Sequence, residues 1–148
     1  MLAGPGGLCG LYFHGHKGIP ARRDSWRRNE GMFVAVRYWL SEYFAGRPIP
    51  YRGALELTGT FFQKEVWGAL REIPWGQTRT YGEIATGLGR PSASRAVGMA
   101  IGRNPISLIV PCHRVVGCDG NLTGYAGGLR RKESLLRMEG SLSNGLLP

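Results

Sequence analysis

The segment Pro111-Cys112-His113-Arg114-Val115-Val116 sets a nucleophile and a base side by side in apolar surroundings. Ile106, Leu108, Ile109 and Val110 precede it, which predicts that the pair sits at the end of a short buried strand. A thiol reacts as its thiolate, and a free cysteine with a pKa of about 8.5 is ionised only to a few per cent at neutral pH. An imidazole beside it in a water-poor wall can take the proton, so the chemistry suggested is displacement by sulfur. A Cys-His dipeptide alone also describes an inert core cysteine next to a structural histidine. The surrounding residues must decide between the two.

Those residues form a longer pattern. Asn104-Pro105 lies upstream, and Asn121, Gly124, Tyr125, Gly127 and Gly128 lie downstream. Gly59-Thr60-Phe61, Val66-Trp67, Ile73-Pro74, Tyr81, Arg95-Ala96-Val97-Gly98 and Leu135-Leu136 before Glu139-Gly140 complete it. In this order the set closely resembles the alkylguanine-DNA alkyltransferases, the methylated-DNA–protein-cysteine methyltransferases. The resemblance covers about 59–140, and less clearly reaches back to Leu8.

The resemblance implies direct-reversal DNA repair. An alkyl group would pass irreversibly from the exocyclic 6-oxygen of guanine in double-stranded DNA to Cys112, once per molecule and without a cofactor. Whether alkylthymine is also repaired at its 4-oxygen stays open. Cys112 would give its proton through a water to His113, with Glu139 orienting and charging the imidazole. Arg95 would be the wedge that fills the gap left by an extruded base. Tyr81 would turn the target phosphate and meet that base, and Ser94, Gly98 and Arg90 are expected at the DNA beside them. Ile101, Val115, Tyr125 and Ala126 match the pocket-wall positions. The family often has serine where Ala126 stands, which leaves one hydrogen bond to the lesion oxygen to backbone. Outside this pattern Tyr81 reads as a core tyrosine and Glu139 as a surface residue.

Two other classes compete. One is an alkyltransferase-like protein that binds lesions without repairing them, but such relatives replace the nucleophile, typically with tryptophan. The other is a thiol hydrolase, which would explain neither the charge nor the helix described next.

The elements that must position these groups are legible in part. A strand is expected over 8–13, a polar loop over 17–29 and a helix over 32–44 with Val36, Trp39, Leu40 and Tyr43 on one face. Residues 46–53 read as a linker that closes a shortened N-terminal α/β part, residues 1–50. Residues 51–148 would form a mainly helical DNA-binding and catalytic domain, giving an α+β fold. Thr60 is the expected N-cap of a helix reaching Glu72. A helix over 81–88 and a third, capped by Ser92 and continuing to Arg103, form a helix-turn-helix. Asn104 must leave the third helix because proline follows, and its side chain suits it to hold the junction to the strand. The last helix spans about 129–139.

The third helix is unusually slim: Ala93, Ser94, Ala96, Gly98, Ala100 and Gly102 are all small. Glycine inside a helix costs about 1 kcal/mol relative to alanine. Close helix packing is one compensation, and entry into a minor groove only about 6 Å wide is the other.

Composition bounds the rest. The formal charge is +9, spread over both halves, which favours a polyanionic partner. Arg130-Arg131-Lys132 and the doublets Arg22-Arg23 and Arg27-Arg28 read as solvated faces. Three cysteines, Cys9, Cys112 and Cys118, make no disulfide framework and point to a reducing compartment. No membrane segment or signal peptide is evident, so the expectation is a cytoplasmic or nuclear monomer. Cys9, His14 and His16 fall one short of a structural zinc site, so no metal is expected.

Overall fold

The computed structural model describes residues 1–16, 18–21 and 23–142. Lys17, at the start of the expected polar loop, and Arg22, half of one arginine doublet, lie outside the described residues.

Strands β1 (Leu2–Gly4) and β2 (Gly7–Gly10) form an antiparallel hairpin with Ala3 opposite Leu8. β2 stops short of the expected Phe13 because the chain changes partner. Leu11 bridges to Ile106 instead, donating its amide to Pro105 O at 2.9 Å and accepting from Ser107 N–H at 2.8 Å. A single 3₁₀ turn (Gly31–Phe33) leads into α1 (Val34–Phe44), which buries Val36, Trp39 and Tyr43. These three recur at helical spacing, and Gly46 (φ 74°) turns the chain away after the last.

Helix α2 (Phe61–Arg71) starts at Thr60 as expected. The Thr60 hydroxyl accepts from Gln63 N–H at 3.2 Å, and the Gln63 side-chain oxygen accepts from Thr60 N–H at 2.9 Å. The same reciprocal cap, made by Thr80 and Glu83, opens α3 (Tyr81–Gly87). Two-residue strand β3 (Arg79–Thr80) leads directly into it. Gly89 (φ 70°) turns the chain toward α4 (Ser94–Gly102), completing the helix-turn-helix. Ser92 was expected to cap α4, but Ala93 holds that place and no side chain caps the helix. The turn closed by Ala93 N–H on Arg90 O at 2.9 Å leaves Ser92 one residue too early.

The strand expected before Cys112 is a turn. Val110 N–H bonds to Ile106 O at 3.0 Å, and Leu108 takes a left-handed φ of 71°. Bracketing prolines at 105 and 111 lack ladder donors, and the Ile106 amide is taken by Asn104, so the pairing goes no further than the single bridge to Leu11. Apolar burial alone cannot tell such a turn from a strand. A 3₁₀ turn (Cys112–Arg114) then carries the reactive pair, and β4 (Val115–Val116) follows it, parallel to β3. Helix α5 (Leu129–Met138) ends with Glu139 as its C-cap.

The fold is therefore mainly helical with two small two-stranded sheets, as the α+β expectation had it. One core runs from Leu8, Leu11 and Tyr43 through Trp67 and Ile106 to Leu135. No helix among the described residues is long and apolar enough to cross a membrane.

Candidate active site

Asn104 and Cys112 meet at the turn. The Asn104 side-chain oxygen accepts from Ile106 N–H at 3.0 Å, and its amide nitrogen donates to Val110 O at 2.8 Å and to Cys112 Sγ at 3.0 Å. One side chain thus fixes the turn and supplies a donor to the sulfur, which suits a thiolate better than a thiol. Cys112 is 6% exposed. Burial pushes its thiol up from the usual value, against the pull of the Asn104 amide and the Lys132 charge.

His113 and Glu139 are both buried, with the imidazole Nε2 2.9 Å from Oε1. Burial would raise the Glu139 carboxyl, but bonds from His113, Arg114 and Tyr43 outweigh it and hold the pKa at about 2. An ionised carboxylate only accepts, so the facing Nε2 carries a proton. Burial also lowers the His113 pKa, against the opposite pull of Glu139, and keeps the ring neutral at physiological pH. Its Nδ1 is then a basic lone pair, buried and without a protein hydrogen-bond partner among the described residues. The expectation that Glu139 charges the imidazole therefore needs correcting in the resting state. Arg114 neutralises the carboxylate, with Nε 2.7 Å from Oε2 and Nη2 2.9 Å from Oε1, while Nη1 donates to Ile73 O at 2.6 Å. That ion pair also removes the helix-dipole penalty on a carboxylate at a helix C-terminus.

Lys132 corrects a second expectation. It is fully buried rather than solvated, with Nζ donating to Val115 O at 2.5 Å and to Thr123 O at 2.6 Å. Burial drops its pKa to about 8, opposed by attraction to Cys112. Its neighbour Arg131 donates to Gly127 O at 2.9 Å and covers the Phe13 ring. Sequence reasoning missed Lys132, Arg114 and Tyr43 as parts of the site. A signal existed for Lys132: residues 132, 135, 136 and 139 lie on one helical stripe, which is the buried face of α5.

The remaining expected residues fall into two groups. Ile101 and Val115 are buried, and Tyr125 and Ala126 are half-buried in the loop before α5, with the Tyr125 ring edge-on to His113 at 6.4 Å. A Cβ on Gly127 would stand 2.7 Å from the Tyr125 ring, so glycine permits the close approach there. On the helix-turn-helix, Tyr81 is half-buried and accepts from the Thr123 hydroxyl at 3.4 Å, Ser94 opens α4, and Arg95 is exposed on it. Gly98 faces the Tyr81 ring, yet a Cβ there would make an ordinary contact of 3.6 Å, and one on Gly102 would meet open space. Packing does not account for these two glycines. Arg90 is not a free cation: it pairs with Glu65 at 2.7 Å and lies over the Phe62 ring. Among the described residues no three His, Cys, Asp or Glu side chains converge as a metal site.

A buried Cys-His-Glu set packed against a helix-turn-helix defines the class of protein this is. A family model described as the 6-O-methylguanine DNA methyltransferase, DNA binding domain, matches residues 61–141. The methylated-DNA–protein-cysteine methyltransferase of Methanosarcina acetivorans is 58% identical over 118 residues, 80% of this chain and 76% of that protein. The Mycobacterium tuberculosis protein of the same name is 52% identical over 119 residues, 80% of this chain and 72% of that one. The crystal structure of Mycobacterium tuberculosis OGT in complex with DNA superposes with a TM-score of 0.86 at 48% identity, covering 94% of this chain and 84% of that one. The chain belongs to the 6-O-methylguanine DNA methyltransferase family.

Proposed function

We propose that this protein is a methylated-DNA–protein-cysteine methyltransferase that repairs alkylated guanine in double-stranded DNA by direct reversal. The names of its relatives support that reading, and the observation that carries it in this chain is the Asn104-held sulfur beside a neutral, Glu139-bound imidazole. Cys112 passes its proton through a water to His113 Nδ1, and Glu139 stabilises the imidazolium that forms. The thiolate attacks the alkyl carbon: an S–C bond forms, the C–O6 bond breaks, and its electron pair returns to guanine, which is then reprotonated. Asn104 and Lys132 stabilise the thiolate before attack. A thioether resists hydrolysis, so each molecule acts once, and none of these steps calls on a cofactor.

The exposed Arg95 and the slim face of α4 suit entry into the minor groove, with Tyr81 and Ser94 alongside, and Ile101, Val115, Tyr125 and Ala126 line the path of the extruded base. Residues 51–148 carry this chemistry in our reading, within which the family match falls. The working location would be the cytoplasm, at the nucleoid, or the nucleus of a eukaryote. Incubation with a methylguanine-containing duplex followed by intact-protein mass tests the proposal. A single methyl on Cys112 is the expected result. Binding with no mass change would instead make the protein a lesion sensor, and repeated ester turnover a hydrolase.

A further inference from the structure

We infer that Tyr43, on a helix that precedes the matched family domain, is a positioning residue for the proton relay. The inference rests on the alkyl-transfer reading above. The Tyr43 hydroxyl donates to Glu139 Oε1 at 2.6 Å, the same oxygen that receives His113 Nε2–H, and it lies 3.4 Å from that nitrogen. Arg114 Nη2 reaches this oxygen as well, so three donors converge on it. The hydroxyl is 96 positions from Glu139 in the chain, and it is held by rings rather than by polar neighbours. Trp39 stacks on the Tyr43 ring at 5.1 Å, and Trp75 meets it edge-on at 5.1 Å. Burial and the adjacent carboxylate push the phenol far above its usual value, so it stays a donor at every working pH.

Two consequences follow from sharing one oxygen. The Tyr43 hydroxyl fixes the rotamer of Glu139, and with it the tautomer of His113 that leaves Nδ1 as the basic nitrogen. It also withdraws negative charge from Oε1, which weakens the hold of the carboxylate on an imidazolium and keeps the resting ring neutral. The groups that set this balance are His113 and Tyr43 on Oε1, Arg114 on both oxygens, and the Lys132 charge acting on His113. A residue that merely filled space would need no hydroxyl here.

The test is the single-turnover rate of Cys112 alkylation against pH in the full chain, for wild type, Tyr43→Phe and Trp39→Phe. Wild type alkylated at Cys112 secures the underlying reading; its failure to react would defeat that reading and this one together. With wild type active, Tyr43→Phe should keep the ring packing and unfold cooperatively, yet react about tenfold more slowly, the loss expected for one hydrogen bond to a charged group. The acid limb of its profile should move to higher pH, because His113 then takes up a proton more readily. Trp39→Phe disturbs the same packing but keeps the hydroxyl, and should leave the acid limb in place. A wild-type rate and profile in Tyr43→Phe, or the same displaced limb in Trp39→Phe, would overturn the inference.

Discussion

Arg114 and Glu139 form a two-point ion pair inside the protein: Nε stands 2.7 Å from one carboxylate oxygen and Nη2 2.9 Å from the other, with the acid fully buried. The arginine follows His113 directly in sequence, so the 3₁₀ turn delivers an imidazole and a guanidinium to the same carboxylate from adjacent residues. This arrangement decides the charge state of the site. An unneutralised Glu139 would hold His113 as an imidazolium and spoil it as a base.

Arg114→Met should therefore cost about 3–5 kcal/mol of stability, because it strands a buried carboxylate. Adding Glu139→Gln should recover much of that loss. Denaturant unfolding of the two single variants and the double one measures the coupling, and strict additivity of the two losses would contradict the pairing.

Stability should fall on acidification in two stages. The His113 pKa is depressed below 6.5 in the folded protein, so the unfolded chain gains a proton first and stability declines as pH drops below about 6.5. Glu139 sits at about 2 against an ordinary 4.5. Its contribution is complete above about 4.5 and is lost as pH falls toward 2, on the order of 3 kcal/mol. Thermal melts of wild type and Glu139→Gln across this range check the point: the variant should lose the second stage.

Lys132→Met should raise the pKa of the Cys112 thiol, since it removes a positive charge that favours the thiolate. Reaction of Cys112 with a small alkylating reagent, mapped by mass, should be slower than wild type at neutral pH. The two rates should converge as pH rises past the thiol pKa. A pH-independent ratio would exclude the electrostatic role.

Asn104→Ala removes the donor to the sulfur and strands the Ile106 amide, while the Val110 carbonyl keeps its bond from Cys112 N–H at 2.8 Å. A loss of about 1–3 kcal/mol in stability is expected, the cost of one buried amide left unpaired. Alkylation of Cys112 should slow at least tenfold beyond what partial unfolding explains, measured under conditions where the variant is folded.

Arg95→Ala should weaken repair of a duplex far more than reaction with the free modified base, because a wedge acts only when a base must be extruded. Parallel rates on an oligonucleotide and on free methylguanine distinguish the cases. Equal losses on both substrates would remove the wedge role.

Much of the helical frame was legible in the residues. Thr60 with Gln63 is a local signal that sequence spacing exposes, and α1 and α5 announce their buried faces by period. The pairing of His113 with Glu139 was anticipated through family likeness, since nothing local links the two positions, whereas Asn104 was read only as the holder of the junction and its bond to Cys112 emerges from the fold. The turn at 106–110 was misread because burial without alternation looks alike in strands and tight loops. Tyr43 and Lys132 were hidden for a related reason: each lies on an apolar stripe, where the polar tip finds its partner only after distant elements close over it. Lys132 was further masked by two arginines beside it, which make the triplet look like one charged face.

The bridge from Leu11 to the 105–107 backbone has a bearing on how the molecule opens. Two amides, one from each side, stitch the amino-terminal segment to the very loop that presents the sulfur. Peeling that segment away would unlatch the nucleophile's own support, so exchange of the Leu11 and Ser107 amide hydrogens should proceed in step, as a single opening event.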